Sequence, residues 1–237
     1  MPLAQIDLHH PDILRECMRV LHSDFPVLML QLPSVFALVA PSTEAGVHAL
    51  NVSKNRLSGK QYGSAIGDSN RFLDMAIRSS LPEAFANNPE AIHCMEGAFV
   101  RLKIADVQTE SASVTKGTHQ GLLLSEGKER ELFRGIELAF TAEYPNPIFG
   151  GAHYYAPICT SANISGDPNG SIVDLERAVA FAQDREIQLL IINSNVHSEE
   201  TGSYPIFEFD GNTVRVMRHG PNQERILRSL TSTMVVA

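Results

Sequence analysis

Tryptophan is absent from this chain, and cysteine occurs only three times in 237 residues. Cys17, Cys94 and Cys159 lie far apart, are odd in number and form no C-x-x-C pair, so neither a zinc ribbon nor a disulfide framework is expected. Their pattern suits reduced, buried thiols in a reducing cytosol, and a cytoplasmic location is the expectation. The opening residues, MPLAQIDLHHPDIL, lack a basic segment followed by an apolar stretch and do not read as a signal peptide. No run approaches the ~20 apolar residues that a membrane helix needs. Positive charge is also scarce: 19 Lys and Arg stand against 27 Asp and Glu, for a net charge of -8. Such a balance disfavours a protein that coats nucleic-acid backbone, because that affinity is summed from Lys and Arg contacts. It leaves room for a small basic pocket.

Common catalytic signatures are missing too. There is no G-x-x-x-x-G-K-[ST] loop, no G-x-G-x-x-G fingerprint, no H-E-x-x-H and no G-x-S-x-G elbow. The histidines are scattered, and adjacent His9 and His10 point to different faces of any regular element, which makes them a poor ligand pair. No metal site built from the chain's own residues is expected.

What is present reads as an ordinary globular chain: 43% hydrophobic and 19% charged residues suffice for a core without disulfides or structural metals. Helical spacing predicts a helix from Pro11 to His22. PVLMLQL (Pro26 to Leu32) and SVFALVA (Ser34 to Ala40) read as buried strands, and Ser42 as the N-cap of a helix that delivers the chain to Lys54. Further strands are expected at Ser64 to Ile66, Phe99 to Val107, Thr118 to Ser125, APICTSA and Ile187 to Asn193. Helices are expected over NRFLDMAIRSS, Lys128 to Tyr144 and Val173 to Asp184. IFEFDGNTVRVMR, with Asp210-Gly211 between alternating apolar residues, gives the clearest hairpin signal. Without a repeat or a Pro/Gly/Ser linker, the expectation is one α/β domain over residues 1–237. It would hold a twisted, mixed sheet flanked by helices, with the motif-bearing core at about 25–220.

Two segments rise above this background. Lys54-Asn55-Arg56-Leu57-Ser58-Gly59-Lys60 places three cations in seven residues at the end of an expected helix. Cations there can simply be a solvated C-terminus facing the helix dipole. They can also form the wall of a polyphosphate site, with Arg as a planar fork and Lys as a mobile point charge. Thr160-Ser161-Ala162-Asn163-Ile164-Ser165-Gly166 follows an expected strand, at the kind of edge where α/β proteins bind ligands. Ser161 and Asn163 can donate to phosphate oxygens, although a polar loop capping the next helix would have the same composition.

Together and in this order the two segments resemble the YrdC-like family of threonylcarbamoyl-AMP synthases. Lys54, Arg56 and Lys60 match that family's K-x-R motif and following Lys. Thr160 through Gly166 match its T-S-A-N-x-S-G motif without a gap, and Arg218 and Gly220 fall where its closing hairpin carries R-x-G. The resemblance implies an α/β twisted-sheet fold with a positively lined cavity. It implies an enzyme that joins L-threonine, bicarbonate and ATP into threonylcarbamoyl-AMP and pyrophosphate with Mg2+, for t6A modification of tRNA. Lys54 and Arg56 would hold the triphosphate and steady the leaving pyrophosphate, with Lys60 beside them. Thr160, Ser161, Asn163 and Arg218 would contact the nucleotide, and tRNA or tRNA-modification proteins would be partners.

The sequence also departs from the family. Where the opening strand should carry P-T-E-[TS] it has Leu32-Pro33-Ser34-Val35, leaving Ser34 as the hydroxyl on the threonine side. Tyr204-Pro205 replaces a Ser-Thr pair, and the R-[VI]-P segment has no clear counterpart near HQGLLLS. The phosphate half of the pattern is retained and the acceptor half altered. The alternative expectation is therefore a non-catalytic nucleotide- or RNA-binding member of the same fold.

Overall fold

The computed structural model describes residues 2–56, 61–104, 113–143, 156–196 and 199–233. It opens with β1 (Ala4–Asp7), α1 (Ile13–Leu21), β2 (Leu28–Gln31), β3 (Phe36–Ala40), α2 (Glu44–Lys54), β4 (Gly63–Ile66), α3 (Ser69–Asp74) and α4 (Glu83–Asn87). It continues with β5 (Ala98–Lys103), β6 (Val114–Thr115), β7 (Thr118–Leu123), α5 (Lys128–Glu143), β8 (Ile158–Ser161) and α6 (Leu175–Asp184). β9 (Leu189–Ile192), the hairpin β10 (Ile206–Asp210) and β11 (Thr213–Arg218), and α7 (Gln223–Thr233) complete it. The strands form one mixed sheet in the order β1-β9-β2-β3-β8-β4-β7-β5-β10-β11, with β6 attached to β7.

The continuous apolar runs follow from burial on both sheet faces. Side chains alternate sides along a strand. Leu28 and Leu30 of β2, Ala37 and Val39 of β3, and Leu189 and Ile191 of β9 therefore join Cys17, Val20, Phe133 and Phe140 of α1 and α5. Met29, Phe36, Leu38 and Leu190 point the other way, onto Ala49, Leu50, Ala178 and Ala182 of α2 and α6. A strand sandwiched between helix layers needs no polar alternation. The far half of the sheet differs. Val100 and Leu102 of β5 and Phe207 and Phe209 of β10 pack with Phe72, Phe85, Ile226 and Leu230. On the opposite face of β5, Phe99 and Arg101 look into a cavity.

Most expected elements form within a few residues of their anticipated bounds, and the hairpin turns through Gly211, whose φ of 58° lies in the left-handed region. Other features differ. The helix expected over NRFLDMAIRSS stops at Asp74, because Ala76 bridges to Ile104 and only a single 3-10 turn, Arg78–Ser80, follows. Thr43 rather than Ser42 caps α2, accepting from the Gly46 amide at 3.2 Å, while the buried Ser42 hydroxyl donates to the Ala156 carbonyl. β1, α4, β6 and α7 were not anticipated. β1 exists through parallel pairing with β9, a partner far away in sequence, and α7 by seating Ile226 and Leu230 four residues apart. Residues 105–107 and Tyr144, also expected in regular elements, lie outside the described residues.

On β7, His119 is fully buried, its Nδ1 2.8 Å from the Ser113 carbonyl oxygen and its ring edge-on to Phe72. Burial pulls its pKa from the ordinary 6.5 to about 4, with the Ser113 hydrogen bond opposing. The unfolded chain therefore binds the extra proton first. Stability is full above about pH 6.5 and falls as the pH drops from there towards 4, by a total of about 3 kcal/mol from this residue. Urea unfolding followed across that window should show the loss, and His119→Phe should flatten it.

Candidate phosphate site

The K-x-R segment works through a chain reversal. Asn55 ends α2 at φ 46°, ψ 52°, and the Arg56 amide donates back to the Asn51 carbonyl at 3.0 Å, a Schellman-type closure. Asn tolerates this left-handed geometry better than branched residues do. The turn lets Lys54, in the last helical turn, and Arg56, beyond the cap, address the same space. Asn55→Val should cost roughly 1–2 kcal/mol and Asn55→Gly almost nothing, as read from denaturant midpoints.

Lys54 is only 3% exposed, and a buried ammonium needs partners. Its Nζ donates to Asn163 Oδ1 at 2.9 Å and to the Ser161 carbonyl. In return the Lys54 carbonyl accepts from the Ser165 amide at 2.8 Å, so the two motifs hold each other by backbone as well as side chain. Asn163 Oδ1 also accepts from Ser161 Oγ at 3.0 Å, and Asn163 Nδ2 donates to the Ile164 carbonyl at 2.8 Å. Gly166 follows at φ 85°. Pairing of β8 with β3, Ser161 opposite Ala37 and Thr160 opposite Leu38, places this loop at the strand end.

Arg56 lies over the Tyr62 ring, its Cζ 4.0 Å from the centroid, and donates through Nη2 to the Gln61 carbonyl at 2.6 Å. Burial lowers the Arg56 pKa and pushes the Tyr62 phenol up to about 12, with Arg56 opposing the second shift. Across the cavity Arg218 donates twice to the Tyr204 carbonyl, from Nε at 3.0 Å and Nη2 at 2.6 Å, and its guanidinium too is lowered by burial. Arg101 reaches Gln120 Oε1 at 2.9 Å and Glu208 at 3.3 Å.

These residues enclose one cavity of about 360 Å³, within the ~300–1,000 Å³ usual for small-molecule sites. Lys54, Arg56, Thr160, Ser161, Asn163 and Arg218, all anticipated from the sequence, line it. Lys60 falls outside the described residues. Ser34 is not brought to this cavity. The tight β2–β3 connection and the Gly202 amide, which donates to the Ser34 carbonyl at 2.7 Å, turn it into a second cavity with Tyr204 alongside. Arg101, Gln61, Gln120 and Phe99 also line the first cavity and were not anticipated. The available signal was a charged residue interrupting the apolar strand AFVRLK, with Phe99 and Arg101 two apart on one face. Four cations line the wall, and none of its described lining residues is a carboxylate.

No protein-family model matches the chain, and no curated protein does. Solved structures do. P. abyssi Sua5 in complex with L-threonine superposes with a TM-score of 0.69 at 13% identity, covering 99% of this chain and 62% of that one. E. coli YciO gives a TM-score of 0.62 at 12% identity, covering 92% of this chain and 95% of that one. Full-length HypF in its phosphate- and nucleotide-bound form gives 0.60 at 17% identity, over 89% of this chain and 29% of that one. The fold is YrdC-like. The chain spans only 60–62% of the length of the P. abyssi Sua5 structures it matches. Within the YrdC-like fold, no helix of the described residues is long and apolar enough to cross a membrane.

Proposed function

We propose that the chain is an adenylate-forming enzyme that joins L-threonine, bicarbonate and ATP into threonylcarbamoyl-AMP and pyrophosphate, a precursor for t6A modification of tRNA. One observation carries the reading: in a chain of net charge -8, Lys54, Arg56, Arg101 and Arg218 converge on a cavity with no carboxylate among its described lining residues. Concentrating positive charge there has a physical use only for a strongly anionic ligand. The structural neighbours support it, since one Sua5 structure holds L-threonine and the HypF structure holds phosphate and nucleotide.

In this reading the threonine amine forms a bond to the bicarbonate carbon, a C–O bond of bicarbonate breaks, and water leaves to give the carbamate. A carbamate oxygen then attacks the α-phosphorus, the bond from that phosphorus to the bridging oxygen breaks, and pyrophosphate leaves with the electron pair. No protein nucleophile is needed, so positioning and charge stabilisation carry the catalysis. Lys54 and Arg56 take the charge of the leaving pyrophosphate, Ser161 and Asn163 fix the phosphate chain, and Arg101 and Arg218 face them. The wall offers cations and neutral oxygens rather than a carboxylate cage, which suits Mg2+ carried in on the nucleotide's own phosphates. That ion would supply further neutralisation of phosphate charge.

Gly63 bounds the cavity where a Cβ would stand 2.3 Å from Phe99 Cε1. Gly63→Ala must therefore move the Phe99 ring, and ATP binding should weaken roughly 10-fold in titration calorimetry while the fold is kept.

A second reading, a non-catalytic nucleotide-binding member of the fold, is favoured by Tyr204, which stands between Ser34 and the phosphate cavity. Pyrophosphate release separates the two. With ATP, bicarbonate and threonine, release above the level seen with any one omitted supports the enzyme. ATP binding without release under any amino acid supports the binder.

A further inference from the structure

Tyr62 stands directly behind the phosphate cavity. Its neighbours Gln61 and Gly63 line that cavity, while Tyr62 itself is 1% exposed and belongs to the core with Leu38, Ala49 and Leu50. Neither the K-x-R segment nor the T-S-A-N-x-S-G segment includes it.

Three links nonetheless tie this ring to the K-x-R segment. The Tyr62 hydroxyl donates to Asn51 Oδ1 at 2.7 Å, in the last turn of α2. The Asn51 carbonyl accepts from the Arg56 amide at 3.0 Å and closes the reversal through Asn55. The Arg56 guanidinium then lies back over the Tyr62 ring, Cζ 4.0 Å from the centroid. Arg56 is thus located at both ends by one residue pair: its backbone by Asn51, and its guanidinium by the ring that Asn51 holds.

A guanidinium within ~6 Å of a ring centroid is drawn to the negative face of the ring, more strongly when the pair is withdrawn from water. Burial pushes the Tyr62 phenol up to about 12, so at neutral pH it presents a ring face and no charge. A carboxylate in that place would also orient Arg56, but it would cancel charge that a phosphate needs. Arg101 shows the contrast, since its guanidinium lies 3.3 Å from a Glu208 oxygen. A ring face orients the cation and leaves its charge intact. A long side chain ordered before the ligand arrives also adds less ordering cost to binding.

We propose that Tyr62 is a positioning residue of the phosphate site, whose ring face holds the Arg56 guanidinium towards the bound phosphates. It acts through Arg56 and does not touch the ligand. The proposal rests on the reading of this cavity as an ATP site.

The test replaces Tyr62 in the full chain by phenylalanine and then by mono-, di- and trifluorinated phenylalanine, each titrated calorimetrically with ATP and Mg2+. Fluorine keeps the shape of the ring nearly constant and withdraws electron density from its face, which a side chain that only fills space would not register. ATP affinity should fall stepwise along the series, by roughly 5-fold at its end. In an Arg56→Met background the same series should stay level within about 2-fold. Tyr62→Leu should weaken ATP binding by roughly 10-fold, and Tyr62→Phe should recover most of that affinity. Should Tyr62→Leu fail to fold, the near-isosteric fluorinated series decides alone. The proposal is overturned if affinity ignores fluorination, or follows it equally in the Arg56→Met background. A level series in a chain that still binds ATP removes the role of Tyr62 and leaves the nucleotide reading standing. A wild-type chain that binds neither ATP nor inorganic triphosphate overturns the nucleotide reading, and this proposal with it.

Discussion

Lys54→Met is expected to weaken ATP binding by roughly 10- to 150-fold, the equivalent of losing a charge-assisted contact of about 1.5–3 kcal/mol. Methionine keeps most of the apolar stem, so the packing at the end of α2 should survive. What disappears is the ammonium that donates to Asn163 Oδ1 at 2.9 Å and to the Ser161 carbonyl. Asn163 Oδ1 keeps the Ser161 hydroxyl as a donor, but the Ser161 carbonyl loses the Lys54 bond. A further stability loss of about 1–3 kcal/mol should follow. Lys54→Arg should restore charge without restoring affinity, since a planar guanidinium cannot take the place of a compact ammonium in a 3% exposed position. Calorimetric titration together with thermal unfolding of the three proteins checks both effects. Unchanged ATP affinity in Lys54→Met would remove Lys54 from the phosphate site.

Gly67→Ala is expected to produce a large loss of stability. A Cβ on Gly67 would lie 2.3 Å from the Arg134 backbone nitrogen and 2.4 Å from its Cα. Those are atoms of the α5 backbone, which cannot rotate away as a side chain can. The Gly67 amide also donates to Oε1 of fully buried Glu137 at 2.5 Å, so moving α5 breaks a buried hydrogen bond as well. Overpacking against backbone should cost at least about 3 kcal/mol, which for a chain of this size lowers the melting temperature by roughly 6–12 °C. A shift under about 1 °C would mean that α5 is not seated against the end of β4 as described.

What could be read in the sequence divides along physical lines. Strands such as LMLQ, FALVA and LLII were legible because burial between two helix layers writes itself as a local apolar run. The candidate phosphate site was legible for another local reason. Lys54-Asn55-Arg56 is compact because one left-handed residue reverses the chain, and Ser161 to Gly166 is compact because one short loop docks on that reversal. Arg101 was overlooked since its role depends on β5 facing the cavity with Gln120 opposite it on β7, a pairing across 19 residues. β1 was overlooked for the same reason, its partner β9 lying far along the chain. The placement of Ser34 was the least legible. Its side of the sheet is decided by Gly202 and Tyr204, which reach it from the far end of the chain, and no local pattern around Leu32 to Val35 carries that information.

Tyr204, at one of the positions that depart from the family pattern, has two contacts in the structure. Tyr204 holds Arg218 through its carbonyl, while its side chain lies between a small apolar void and the second cavity. Gly220 lets the end of the hairpin pass this loop, since a Cβ there would stand 2.4 Å from the Ser203 carbonyl oxygen. On the K-x-R side Lys54 is held by Asn163 and the Ser161 carbonyl, and on the other side stands the Tyr204 phenol ring.

The most direct measurement is a crystal structure of the protein with a non-hydrolysable ATP analogue and Mg2+. Phosphate oxygens within about 3 Å of Lys54 Nζ, the Arg56 guanidinium and the Asn163 amide are the expected result. An analogue bound elsewhere, or a cavity left without phosphate density at saturating analogue, would contradict the assignment of this site to a nucleotide.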